Sequence, residues 1–94
     1  MKIDLGKNEL IHFVGIGGIG MSGLAQIMKN MGFNIQGSDQ FKNKNTIACT
    51  KAGIKVFNGH SKKNIKSSTI LVRSSAVKNS NSEIKYAKKK KLPI

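Results

Sequence analysis

Apolar residues occur in short bursts along this chain, each cut off by glycine or by a run of Asn, Ser and Lys. The first burst, LIHFVGI at 10–16, is apolar apart from His12 and Gly15 and runs into a glycine-rich segment, which predicts a buried parallel strand. The period then lengthens. Ile19, Leu24, Ile27, Met28 and Met31 recur at helical spacings, predicting one apolar helix face from Ile19 to Met31, with Gly32 placed to end it. FNIQGSD (33–39) alternates like a second strand, and FKNKN (41–45) is a polar loop. Thr46 then reads as the cap of a short helix that runs to Ala52 and is closed by Gly53. IKVFNGH (54–60) predicts a third strand, SKKNIKS (61–67) a turn and STILVRSS (68–75) a fourth strand. NSEIKYAKKKK (81–91) predicts a helix starting near Ser82 with Ile84 and Ala87 inward, and LPI (92–94) the start of a further strand.

Strands alternating with helices imply right-handed crossovers and a parallel sheet covered on both faces. The fold class is therefore α/β, doubly wound, in a single small domain without repeats or an internal linker.

Composition changes this picture little. The 94 residues carry 17 basic and 4 acidic side chains, a formal net charge of +13. Such a charge suits anionic partners, nucleic acid among them. However, the excess is almost all Lys within polar segments, Arg73 is the only arginine, and Phe and Tyr total five. A nucleic-acid reader would use bidentate arginines and interleaved aromatics, so no nucleic-acid partner is expected. The single Cys49 excludes an internal disulfide and reads as a small apolar residue. MKIDLGKNEL is not a secretory signal, and the apolar stretch 10–28 is too rich in Gly to span a membrane. The expectation is a cytoplasmic protein with no membrane partner.

FVGIGGIGMSG (13–23) carries the chemistry. Gly15-x-Gly17-x-x-Gly20 follows the first strand and opens the first helix. Gly15 would permit a tight turn, Gly17 would let a phosphate approach the backbone, and Gly20 would let the helix pack on the strand. The exposed N–H groups near Ile19 to Ser22 would face the anion. Asp39, 19 residues after Gly20 at the end of the second strand, is placed to accept from a ribose. This much fits NAD, FAD or a UDP-linked sugar equally, and a stand-alone NAD-binding regulatory domain shares the same glycine loop.

The wording around the motif is more specific. HFVGIGGIGMSGLA, GFNIQGSD, AGIKVFNGHS and ILVRSSAV follow in that order over most of residues 11–78. Together they resemble the N-terminal domain of the Mur ligases, in particular the branch that joins L-alanine to UDP-N-acetylmuramate. The resemblance implies a Rossmann-like domain, spanning 1–94, that binds the UDP part of that substrate. Gly15, Gly17, Gly18, Ile19, Gly20, Met21 and Ser22 would cradle the diphosphate. Ser38 and Asp39 would lie beside the uridine, with His60 bordering the nucleoside pocket. Ser74, Ser75 and Ala76 would form a loop near the diphosphate and sugar. Arg73 departs from the family's usual small or apolar residue, and is either a phosphate ligand or an exposed strand end. The family's ATP-binding loop, Gly-x-x-Gly-Lys-[Ser/Thr], has no counterpart in these 94 residues. ATP, Mg²⁺ and L-alanine would belong to a central and a C-terminal domain outside this chain. The chain itself would hold no catalytic residue and no metal, and would catalyse nothing alone.

Overall fold

The computed structural model describes residues 9–94, and in it the glycines set where the elements end. β1 (Leu10–Val14) stops two residues before its apolar run does. The N–H groups of Gly15 and Ile16 both turn to the carbonyl of Ser38, at 2.9 and 3.0 Å, and Gly15 adopts φ +82°. α1 (Met21–Asn30) begins only after Gly20, whose φ of +82° a side chain would strain. β2 (Asn34–Asp39), α2 (Lys44–Lys51), β3 (Lys55–Asn58), a 3₁₀ turn (Lys62–Ile65), β4 (Ile70–Arg73) and α3 (Ser82–Lys89) follow.

The cap of α2 differs from the sequence reading. Asn43, not Thr46, is the N-cap: its side chain accepts the N–H groups of Asn45 and Thr46, both at 2.9 Å. Thr46 returns the contact by accepting the Asn43 N–H, which completes a capping box. The polar loop therefore already holds the helix start. The LPI segment forms no assigned strand, yet the Leu71 N–H donates to the Pro93 carbonyl at 2.9 Å and lays it beside β4.

All four strands are parallel, in the order β3-β2-β1-β4. β1 is central, with Ile11 level with Ile35 on one side and Ile70 on the other. Alternation divides the core. Ile11, Phe13 and Ile35 pack with Ile16, Ala25, Cys49 and Ile54 beneath α1 and α2. Val14 and Leu71 pack with Ile65, Ile84 and Ala87 beneath the 3₁₀ turn and α3. Helices thus cover both faces, as the alternating pattern implies. Burial pushes the Cys49 thiol above its usual pKa.

The inward face of α1 shares only Met28 with the predicted one. Ile19 is 101% exposed, and Leu24, Ile27 and Met31 face outward. Ser22 and Ala25 are the buried positions, with Met21 and Met28 packed at the margin. Small residues bring the helix close to the sheet and to α2, where the Ser22 carbonyl lies 3.9 Å from the Cys49 sulfur. Large aliphatics at those positions would hold it off, so size rather than hydrophobicity selects the face.

Candidate functional site

The carboxyl ends of the strands meet where the chain order reverses between β1 and β4, the usual place for a ligand in an open parallel sheet. A cleft of about 260 Å³ opens there, lined by Gly15, Gly17, Gly18, Asp39, His60, Ser74 and Ala76. Gln40, Phe41, Asn43 and Val77 complete the lining and were not foreseen. Larger hollows of about 340 Å³ along α2 and about 480 Å³ between the 3₁₀ turn and α3 are lined in part by lysines and contain no glycine turn.

The glycines do different jobs from one another. Gly15 turns the chain, and a Cβ there would stand 3.0 Å from Val77 Cγ2 and 3.2 Å from Ser74 Cβ. At Gly17 a Cβ would meet Thr46 Cγ2 at 2.8 Å and Asp39 Oδ2 at 2.9 Å. The close approach it permits in this structure is that of α2 and Asp39. Gly20 has nothing within 4 Å of its missing Cβ, so helix packing does not require it and its positive φ does.

Asp39 is partly committed. Its Oδ2 accepts the Gly17 N–H at 2.8 Å, and Oδ1 accepts the Phe41 N–H at 3.3 Å. The Gly17 carbonyl takes the Asn45 side-chain amide at 3.0 Å. Gly17 is therefore clamped on both sides, which fixes the glycine turn against the start of α2. Around that turn, Gly18 N–H closes on the Gly15 carbonyl and Met21 N–H on that of Gly18. No described residue accepts from the N–H groups of Ile19, Gly20, Ser22 or Gly23, and no side chain caps α1. An uncapped N-terminus of this kind concentrates free donors and the positive end of the helix dipole beside the cleft.

Ser74 accepts the Ala76 N–H at 3.2 Å and its own N–H reaches the Val14 carbonyl at 3.1 Å, so the loop after β4 is tied to β1. Ser75 and Ala76 are exposed. Arg73 does not point at an open anion site: its guanidinium donates to Asn79 Oδ1 at 2.6 Å and to the Val77 carbonyl. It staples the loop that carries Ser74 to Ala76. Arg73→Ala is expected to cost about 1 kcal/mol and to speed amide exchange over residues 74–81, read by hydrogen exchange followed by NMR.

Ser38 lies deeper than the sequence reading placed it. It is fully buried, and its hydroxyl donates to Glu83 Oε1 at 2.6 Å, which sets it below the cleft rather than within it. Glu83 itself was missed. Its buried carboxylate accepts from His12 Nε2 at 2.8 Å, Ser38 Oγ, the Ser61 N–H at 3.1 Å and Asn64 Nδ2 at 2.8 Å. Burial opposes its charge. Hydrogen bonds from His12 and Ser38, the attraction of His12 and the Asn64 amide outweigh it, and hold the pKa down to about 2. His12, assigned no role from sequence, is completely buried against this carboxylate. His60 Nδ1 lies 2.9 Å from Ser38 Oγ and so joins the network to the cleft. Among the described residues, no group of three or more His, Cys, Asp or Glu is arranged to hold a metal, and no helix is long and apolar enough to cross a membrane.

Known proteins share this fold. The Mur ligase family, catalytic domain, matches residues 10–94. The UDP-N-acetylmuramate–L-alanine ligase of Pelagibacter ubique is 63% identical over 94 residues, which is 100% of this chain and 20% of that protein. The crystal structure of UDP-N-acetylmuramate-alanine ligase from Thermotoga maritima superposes with a TM-score of 0.86 at 38% identity, over 90% of this chain and 20% of that one. UDP-N-acetylmuramate:L-alanyl-gamma-D-glutamyl-meso-diaminopimelate ligase from Neisseria meningitides gives 0.81 at 27% identity, over 90% and 27%. The chain thus spans about a fifth of the length of the first two relatives. With the glycine turn, the parallel sheet and nearly the whole length accounted for, the chain belongs to the Mur ligase family.

Proposed function

We propose that this chain is the UDP-N-acetylmuramate-binding domain of a ligase that joins L-alanine to that sugar nucleotide in the cytoplasm, for peptidoglycan precursor synthesis. The observation that carries the binding role is the uncapped start of α1, where four N–H groups with no acceptor among the described residues adjoin a cleft walled by Gly15, Gly17 and Gly18. A diphosphate is the group such donors suit. The relatives support the choice of nucleotide. Two that differ in what they add to the sugar share UDP-N-acetylmuramate in their names, and both share this domain.

On this reading the N–H groups of Ile19, Gly20, Ser22 and Gly23 hold the diphosphate. Asp39 accepts a ribose hydroxyl through Oδ1 while Oδ2 keeps Gly17 in place. His60 borders the nucleoside, and the Ser74–Ala76 loop closes over the sugar. Activation of the substrate's carboxylate with ATP and Mg²⁺, and its coupling to L-alanine, fall to parts of the ligase outside these residues, which hold no ATP-binding loop.

An NMR titration of the chain with UDP-N-acetylmuramate, with NADH as competitor, tests the reading. Amide shifts at Ile19 to Gly23 and Asp39 are expected with the UDP-sugar and not with NADH. Shifts with NADH alone would make this a dinucleotide-binding domain instead. Gly17→Ala, which drives Asp39 and α2 away from the turn, is expected to weaken UDP-sugar binding about tenfold, or ~1.4 kcal/mol.

A further inference from the structure

The hydrogen bonds around Glu83 form a chain with a definite proton order that ends in the cleft. Glu83, ionised, can only accept. His12 offers Nε2 to it, while His12 Nδ1 stands 2.8 Å from Gln36 Nε2, a donor that also reaches the Asn64 carbonyl at 2.7 Å. One imidazole tautomer satisfies both contacts, with the proton on Nε2. The single hydroxyl hydrogen of Ser38 goes to Glu83 at 2.6 Å. Ser38 Oγ is then free only to accept, and its remaining near neighbour toward the cleft is His60 Nδ1 at 2.9 Å. That nitrogen must therefore carry a proton. No described residue hydrogen-bonds His60 Nε2, no described buried side-chain nitrogen lacks a partner, and the ring lines the cleft.

We propose that Glu83 is a positioning residue for the cleft: through Ser38 it fixes a proton on His60 Nδ1, so that in the single-proton ring the Nε2 lone pair is turned outward. The cleft then favours a ligand that donates a hydrogen bond at this point, such as a ribose hydroxyl or the imide N–H of a uracil ring. This last step rests on the nucleotide reading of the cleft, whereas the proton order does not. The arrangement has a reason in the fold. Glu83 sits in the first turn of α3, where Asn81 caps the helix and the dipole favours an anion, so a buried carboxylate is held there and its four donors come from β1, β2 and the β3–β4 connection.

The test is a long-range ¹H–¹⁵N spectrum of the histidine rings in the labelled chain at pH 8. His60 is expected as the Nδ1–H tautomer and His12 as the Nε2–H tautomer. Ser38→Ala removes the acceptor, leaving Glu83 Oε1 3.6 Å away, beyond hydrogen-bond reach, and is expected to turn His60 mainly to Nε2–H, the form that predominates for a neutral imidazole in water. Glu83→Gln is expected to mix the His60 tautomers if it folds; Ser38→Ala decides the matter if it does not. UDP is the ligand probe, and its affinity is expected to fall about tenfold in Ser38→Ala while the α1 amides still respond. His60 found as Nε2–H or doubly protonated in the unmodified chain would overturn the proposal, as would an Nδ1–H form that survives Ser38→Ala. The expected tautomers with no response to UDP at α1 would leave the positioning chain standing and remove the nucleotide reading instead.

Discussion

Gly37→Ala is expected to destabilise the domain by about 3 kcal/mol, at the upper end of what overpacking a core costs. Gly37 sits in β2, and the tight turn at Gly15 folds Ile16 back across it. A Cβ there would lie 2.5 Å from Ile16 Cδ1, 2.8 Å from Ile16 Cβ and 2.9 Å from the Phe13 carbonyl oxygen. The first of these atoms can swing away. The other two cannot without moving β1 relative to β2 at the place where the glycine turn begins. Gly23→Ala is the control, because its Cβ would meet nothing within 4 Å inside α1. It is expected to stabilise by about 0.5–1 kcal/mol through helix propensity alone. Urea unfolding at constant m-value measures both. A Gly37→Ala midpoint close to that of the parent would mean the β1–β2 contact yields easily, and the steric account would be wrong.

Acid is expected to remove about 2 kcal/mol of stability between pH 6 and pH 3 through Glu83 alone. Its pKa is about 2 in the folded chain against 4.5 as the reference. The unfolded chain therefore takes up this proton first as pH falls. The stabilisation is complete above the unfolded value, declines below about pH 5, and is exhausted once pH passes below about 2. In full it amounts to about 3 kcal/mol. Glu83→Gln has no charge to titrate, so its unfolding midpoint should change less than the parent's across the same range. Parallel loss in the two proteins would show that the other carboxylates, not Glu83, set the acid sensitivity.

Local pattern and local conformation were readable from the chain. The first four strand bursts, the Gly32 and Gly53 helix stops and the inward Ile84 and Ala87 are matters of nearest neighbours, and each strand forms within the stretch the spacing gave it. The α1 face was misread in all but Met28 because periodicity counts hydrophobic residues, whereas the sheet and α2 fully bury only the small Ser22 and Ala25. The glycine turn was found as a motif, but the neighbour that makes Gly17 a glycine, the start of α2, lies too far along the chain for spacing to show. The polar network left a faint mark. His12, Gln36 and Ser38 alternate onto the face of β1 and β2 opposite Ile11, Phe13 and Ile35, with His12 level with Gln36 in the register. A polar stripe in buried strands calls for a partner. Nothing in the sequence says that the partner is Glu83, which reads as an ordinary acidic residue in the first turn of a solvated helix.

The central place of β1 also shapes how the chain is made. The first of the described strands to be synthesised is an inner one, and the Leu10–Thr69 pairing that flanks it joins residues 59 positions apart. At roughly 5–20 residues per second, one edge of β1 stays open for about 3–12 s while the rest of the sheet is synthesised. His12 waits longer still, since Glu83 follows it by 71 positions. Until α3 arrives, one face of the nascent sheet shows His12, Gln36 and Ser38 to water. Water can hydrogen-bond all three, so the half-made domain presents a wettable surface where a wholly aliphatic one would invite association with neighbouring chains.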